Sequence, residues 1–317
     1  MWLPLLVVLG LIFLYRWYRQ SLILDNLAGK YVFITGCDTG FGNILARNLD
    51  KRGIRVLAAC LRETGAENLK KETSSRLQTV ILNVTDSESV RSAAKWVSSI
   101  VGEQGLWGLV NNAGVSVPCS PDEWLTKEDY SKVIDINLLG MIDVTINLLP
   151  FLRKARGRLV NMSSSVGRLT MTVGPYSLSK YAVESFSDSI RRQMRFFGVK
   201  VAIIEPGAFD TQITNIDATR GDLMRTWKTA PEEVKKSYGE DYYKYALKAA
   251  EQVKHLVNKN VNLVPQAVEH ALTAVHPWTR YSVGLDAKLI YLPLSYFPTF
   301  FTDFLFTLPQ PKPAQVM

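Results

Sequence analysis

The sequence predicts an α/β fold, a doubly wound parallel-sheet Rossmann fold with an apolar anchor at the N-terminus and a C-terminal lid. Three observations predict it. Short β-branched runs alternate with longer amphipathic stretches from Lys30 onward, a glycine-rich turn follows the first run, and an uncharged apolar segment opens the chain. Alternation at this spacing implies right-handed βαβ units, hence parallel strands with helices on both faces.

Taken in order, residues 1–15 (MWLPLLVVLGLIFLY) carry no charge, and Arg16, Trp17, Tyr18 and Arg19 follow. At about 1.5 Å per residue this run falls a little short of a hydrocarbon core of about 30 Å, a gap that a snorkelling Arg16 and interfacial Trp17 and Tyr18 close. A cleaved signal peptide is the rival reading, but no positive region precedes the run and no small-x-small site ends it. We therefore expect an uncleaved membrane anchor over residues 1–18. Arg16, Arg19 and Lys30 all follow the segment, which puts the rest of the chain on the cytosolic side.

Residues 28–288 form the main domain. Strands are expected at 31–35, 56–60, 79–83, 108–111, 158–162 and 200–205, where β-branched residues concentrate. Apolar spacing near 3.6 predicts helices at 42–51, 87–101, 130–152 and 176–196. Residues 211–260 break the rhythm: they are polar, carry Trp227, Tyr238, Tyr242 and Tyr243, and return to no strand. An insertion placed there overhangs the carboxyl ends of the strands, so it is read as an aromatic substrate lid. Residues 289–317 begin with an aromatic-rich apolar stretch interrupted by Pro293, Pro298 and Asp303. Those breaks exclude a straight span and leave two readings, a membrane-associated hairpin or helix and a segment packed on the core.

Composition narrows the function. The chain has 317 residues, 47% apolar and 21% charged, which sets aside disordered and fibrous classes. Its net charge of +8 comes from basic residues interleaved with acids, so nucleic acid is not an expected partner. Cys37, Cys60 and Cys119 read as free thiols in a reducing compartment. His255, His270 and His276 have neither HExxH nor CxxC spacing, and no metal site is expected. Sequons at Asn83 and Asn161 fall at strand ends and read as chance matches.

The chemistry lies at the strand ends. Thr35-Gly36-Cys37-Asp38-Thr39-Gly40-Phe41-Gly42 follows the first strand and opens a helix, the arrangement that seats a pyrophosphate on a helix N-terminus. The acid that would take a ribose about 20 residues on is missing, because the second strand ends Ala59-Cys60-Leu61-Arg62. Arg62 reads as a clamp for a 2′-phosphate or as a solvated loop residue, whereas Asp38 would repel that phosphate, so NAD is favoured over NADP. Asn111-Asn112-Ala113-Gly114 ends the fourth strand and Ser163-Ser164-Ser165-Val166-Gly167 the fifth. Tyr176 and Lys180 then stand at i and i+4 on one helix face, where an ammonium would favour a phenolate.

Glycine turn, Asn-Asn-Ala-Gly, serine-rich strand end and Tyr-x-x-x-Lys, in this order over residues 30–211, resemble the short-chain dehydrogenase/reductase family. The anchor, the particular glycine turn, Gly105-Leu106-Trp107-Gly108, Glu269-His270-Ala271-Leu272 and His276-Pro277 are similar to its microsomal retinol and 3α/17β-hydroxysteroid dehydrogenase branch. The resemblance implies catalytic Asn137, Ser164, Tyr176 and Lys180, with Ser164 also binding substrate. Gly167 selects Ser164 from the family's Ser-Ser-x-x-Gly pattern; its separation from Tyr176 is 12, one fewer than usual, which keeps Ser163 as runner-up. Implied cofactor contacts are Gly36, Asp38, Thr39, Gly40, Phe41, Gly42, Cys60, Asn83, Val84, Asn112, Ala113, Gly114, Tyr176, Lys180, Pro206, Gly207 and Thr211. Implied too are NAD-dependent oxidation of retinol or hydroxysteroids, an endoplasmic reticulum membrane location and a homodimer. An NADP-linked carbonyl reductase and a nucleotide-sensing binding protein are the alternatives.

Overall fold

A computed structural model of the chain describes residues 2–171 and 173–315, without the side chains of residues 2, 3, 254 and 255, His255 among them. The strands are β1 (Tyr31–Thr35), β2 (Arg55–Cys60), β3 (Gln78–Ile81), β4 (Gly108–Asn111), β5 (Arg158–Met162), β6 (Lys200–Pro206) and β7 (Arg280–Val283). The helices are α1 (Trp2–Ser21), α2 (Gly40–Lys51), α3 (Glu63–Lys71), α4 (Ser87–Val101), α5 (Lys127–Ile134), α6 (Met141–Ala155), α7 (Pro175–Met194), α8 (Ile216–Thr229), α9 (Glu232–Leu256), α10 (Leu263–Thr273), α11 (Leu292–Leu294) and α12 (Thr299–Thr307). All strand pairs are parallel in the order β3-β2-β1-β4-β5-β6-β7. Strand order reverses between β1 and β4, and such a switch point opens a crevice beyond the carboxyl ends.

Alternation along β1 shows how both faces are covered. Val32 and Ile34 pack with Leu45 and Leu49 of α2 and Val264, Val268 and Leu272 of α10. Tyr31 and Phe33 point the other way, to Val90 and Val97 of α4, Leu148 and Leu152 of α6 and Ile190 of α7. Strands buried on both faces read as unbroken apolar runs, and each fully buried Ile or Leu contributes roughly 1.5–3 kcal/mol.

The structure corrects the expected elements in several places. Helix α3 was not expected, because only Ala66 and Leu69 of its nine residues are buried and its pattern is mostly charged. Strand β7 is four residues long, too short for its pattern to stand out between turns. Strand β3 runs over Gln78–Ile81, displaced from the expected 79–83 because Asn83 turns back to its own loop. The helix expected at 130–152 is interrupted by a π-helical turn, Asp135–Gly140. Together, Lys127–Ala155 is long and apolar enough to cross a membrane, but α6 turns its apolar side into the core.

Residues 211–260 are largely helical, forming α8 and α9, the latter kinked at Gly239 (φ +78°). Their aromatic residues do not face a crevice. Trp227 stacks on Tyr243 with ring centres 5.1 Å apart, and Trp124 packs 4.7 Å from Trp227 and 5.6 Å from Tyr238. Large rings gain more from burying one another than from lining a wet opening, so they make a small core of their own.

Helix α1 exposes Leu5, Leu6, Leu11, Phe13 and Tyr15. Its 20 residues span about 30 Å. The chain after it is tied to the stretch before β7, with an antiparallel bridge Ile23–Ala274 and Leu24 N donating to Thr273 O at 2.9 Å.

Candidate active site

The first βα turn is shaped around close approaches. Gly36 (φ +70°) lies so near the β4 loop that a Cβ there would meet Ala113 Cα at 2.9 Å. A Cβ on Gly42 would meet Gly36 O at 2.4 Å and Asn112 Nδ2 at 2.5 Å, so α2 is clamped against the turn. Asn112 donates from Nδ2 to Thr35 O (2.9 Å) and Gly36 O (3.0 Å), and Ala113 N donates to Thr35 Oγ1 (3.0 Å). Thr39 caps α2 in extended conformation with no side-chain bond to the helix amides. An uncapped helix N-terminus beyond a glycine turn is a fitting seat for a pyrophosphate, so the residues present fit a dinucleotide.

The missing acid of β2 is replaced in space. Asp38, from the glycine turn, accepts from Leu61 N (Oδ2, 2.8 Å) and Arg62 N (Oδ1, 3.0 Å), placing a carboxylate just beyond the end of β2. Linear spacing hid this, because the acid arrives from the neighbouring loop. Cys60 has no exposed surface, and burial pushes its thiol up to about 12. Asn83 Oδ1 accepts from Thr85 N (3.1 Å) and Thr85 Oγ1 (2.8 Å), committing that oxygen to its own turn. Val84 is buried against Gly140, whose Cβ would lie 2.7 Å from Val84 O.

Around the head of α7 four predicted residues come together. Ser164 hydrogen-bonds the Tyr176 phenol, which burial pushes up to about 12 and this bond draws down. Ser164 Oγ also lies 3.4 Å from Pro206 O. Ser163 points elsewhere, toward Lys180 O at 3.4 Å and Glu184. Both serines line the cavity, but of the two it is Ser164 that meets the phenol. Lys180 is buried, its Nζ donating to Met162 O at 2.9 Å and standing 5.6 Å from the centre of the Tyr176 ring. Burial lowers its ammonium to about 8 while Glu184 holds it up. In this arrangement the downward pull on the phenol comes from Ser164, since the lysine is turned to a strand carbonyl. Asn137 sits inside the π-turn, accepting from Val115 N (2.8 Å) and donating to Val115 O (2.8 Å) and Ser179 Oγ (3.0 Å). π-Turns recur at functional sites, and this one swings a buried amide between the β4 loop and α7.

Ser164, Tyr176 and Lys180 stand on the floor of a cavity of about 290 Å³. Phe41, Asn112, Gly114, Pro206, Gly207 and Thr211, expected from the sequence to meet a cofactor, line one part of it. Its other wall is apolar: Cys119, Val166, Met171, Ile213, Ile216, Val253, Leu256 and Tyr291. Sequence reasoning assigned no role to Cys119, Met171 or Tyr291, which lie on three separate connections. Only the glycine at 174, with φ +81°, signals the loop that carries Met171 to Tyr176.

Residues 30–220 match the model of the short chain dehydrogenase family. The chain belongs to this family. It is 54% identical over all 317 residues to "Retinol dehydrogenase 7" of Rattus norvegicus, covering 100% of both chains. It is 50% identical, again with full coverage of both, to "17-beta-hydroxysteroid dehydrogenase type 6" of Homo sapiens. Among solved structures, a short-chain dehydrogenase from Streptomyces avermitilis is similar with a TM-score of 0.70 and 25% identity, over 88% of this chain and 97% of that one. Family membership brings a nicotinamide dinucleotide as cofactor and oxidoreductase chemistry to the crevice described above.

Proposed function

We propose that this dehydrogenase oxidises lipophilic alcohols, retinol and hydroxysteroids, with NAD. The observation that carries the reading is the Ser164–Tyr176 pair on the floor of an apolar cavity that abuts the glycine turn. The names of its full-length relatives support the substrate class. A bound nicotinamide supplies the two-electron acceptor for the alcohol carbon. The chain does the rest. Ser164 Oγ and Tyr176 Oη bind the alcohol oxygen, and Tyr176, as its phenolate, takes the hydroxyl proton at Oη and becomes the phenol, so a ketone or aldehyde leaves the oxygen pair. Lys180 holds a cation 5.6 Å from the centre of the Tyr176 ring, and Asn137 fixes the loop and Ser179 that frame the lysine. The apolar wall excludes water, and the cavity orients a rigid, greasy substrate.

This role predicts a sharp split between the serines. Ser164→Ala should lose about 10²–10³ in kcat, the scale of one lost oxyanion-type donor, whereas Ser163→Ala keeps most activity. Steady-state rates of both variants on retinol check it; equal losses would sink the assignment.

Asp38 supports the preference for NAD. A 2′-phosphate placed near its carboxylate meets like charge, on the order of 4 kcal/mol at about 4 Å and less when solvated. We expect Asp38→Asn to keep the bonds to Leu61 and Arg62 in part and to narrow the NAD over NADP ratio of kcat/KM by about 10- to 100-fold. A ratio that does not move would show that selection lies elsewhere.

For location, we read α1 as an anchor in the endoplasmic reticulum membrane with the catalytic domain in the cytosol. Its exposed apolar surface supports this, as does a second exposed apolar group, Leu289, Ile290, Phe297, Phe300 and Phe304, in the C-terminal segment of residues 289–317. The two flank the same edge strand, α1 tied to the chain before β7 and the C-terminal segment following it. Exposed Leu139, Ile146, Leu178 and Tyr181, on the π-turn and helices α6 and α7, offer an apolar face to a second copy in a homodimer. A panel of retinol and 3α-, 3β- and 17β-hydroxysteroids with NAD and NADP, on membrane fractions, tests the reading. Turnover of none of them would refute it.

A further inference from the structure

We propose that the stretch at residues 274–276, at the root of α1, binds the phosphate-bearing headgroup of an anionic membrane lipid. The proposal rests on α1 lying in a bilayer. Three cations from three elements converge on this stretch. Arg158, first residue of β5, donates from Nη2 to Ala274 O at 3.4 Å. Lys200, first residue of β6, donates from Nζ to Val275 O. Arg19, in the last turn of α1, brings Nη2 within 3.2 and 3.3 Å of the two ring nitrogens of His276.

Among the described residues none of these three cations has a carboxylate partner, whereas Arg168, Arg191, Arg225 and Arg280 all do. Arg158 is the extreme case. It is 4% exposed, yet its Nε has no hydrogen-bond partner, and its bonds to Arg156 O, Gly157 O and Ala274 O are long, at 3.3–3.5 Å. The Trp107 ring covers it at 4.7 Å, which softens the burial without neutralising it. The groups also repel one another: burial, then Arg158 and Arg19, push the Lys200 ammonium down, and burial, then Arg19, Lys200 and Arg158, push His276 down.

A buried cation with no counter-charge is costly. The C-terminus of α10, which ends at Thr273, offers only about half an elementary negative charge. A phosphodiester supplies a full charge with acceptor oxygens suited to the Arg19 fork and the Lys200 ammonium. The source follows from position. Arg19 is next to Trp17 and Tyr18, both exposed, where an inserted α1 would meet the headgroup layer, and anionic leaflets attract such clusters. The cluster sits at the amino ends of β5 and β6, across the sheet from Tyr176, so a bound headgroup would fix the domain on the membrane without touching the reacting atoms.

The test uses the full chain in neutral detergent, offered phosphatidylserine, phosphatidylcholine or inorganic phosphate, with native mass spectrometry counting retained lipid. We expect one phosphatidylserine retained in preference to phosphatidylcholine. Arg19→Gln and Lys200→Gln should each weaken that retention about fivefold, and Lys200→Arg should restore it. His276→Glu places an acid inside the cluster; it should raise the melting temperature and abolish retention, which keeps the test decisive if a charge-removing variant folds poorly. Equal retention of both lipids, unchanged retention in His276→Glu, or inorganic phosphate competing mole for mole with phosphatidylserine would each overturn the proposal. Turnover of a soluble alcohol stays at the wild-type rate in all these variants, so a failure here is distinguishable from a failure of the dehydrogenase reading.

Discussion

Tyr176→Phe should lower kcat for retinol or a hydroxysteroid by about 10²–10⁴ while leaving dinucleotide affinity nearly unchanged. The change deletes one oxygen at the floor of the cavity and keeps the ring, so the packing beside Lys180 survives. What is lost is the acceptor for the alcohol proton. Ser164 cannot replace it, because an alkyl hydroxyl is a far weaker acid than a phenol and no base stands behind it here. Single-turnover rates with saturating NAD, alongside a titration of NAD binding, separate the two effects. A variant that keeps wild-type turnover would remove the phenol from the mechanism.

Lys180→Met should abolish most turnover and at the same time stabilise the fold. Burial lowers this ammonium from 10.5 to about 8 in the folded chain. Between those values the unfolded chain binds the proton and the folded chain does not, so stability rises with pH across that window. Below about 8 the fold carries a charged amine at a desolvation cost. Methionine fills the same tunnel without that charge but orphans Met162 O, so we expect a gain of roughly 1–3 kcal/mol at pH 7. The rise in stability between pH 8 and 10 should flatten. Denaturant unfolding at both pH values measures it. A variant that is less stable at pH 7, or that keeps the rise, would show that the lysine is a structural prop whose charge is not strained.

Much of this was legible in the residues. The β-branched runs that became β1, β2, β4, β5 and β6 are fully sandwiched strands, and sandwiched strands advertise themselves as apolar runs. Tyr176 and Lys180 were legible because one helix sets their spacing. Elements α3 and β7 were not, since one buries two residues and the other spans four. Asp38 was legible as part of the turn but not as the acid at the end of β2, because that contact joins two loops through backbone amides of Leu61 and Arg62. The lid aromatics misled for a similar reason. A sequence shows that Trp227 and Tyr243 are large and apolar, but not that Trp124, about a hundred positions away, completes their cluster.

The central claim is that this phenol and ammonium, beside a dinucleotide crevice, serve the proton and charge steps while a nicotinamide oxidises a lipid-soluble alcohol. Retinol with both carbinol hydrogens replaced by deuterium, incubated with the membrane-bound protein and NAD, tests it most directly by mass spectrometry of the reduced dinucleotide. One deuterium in the dinucleotide for each retinal formed, lost together in Tyr176→Phe, is the predicted result. Retinal without label in the dinucleotide, or labelled dinucleotide formed equally well by Tyr176→Phe, would contradict it.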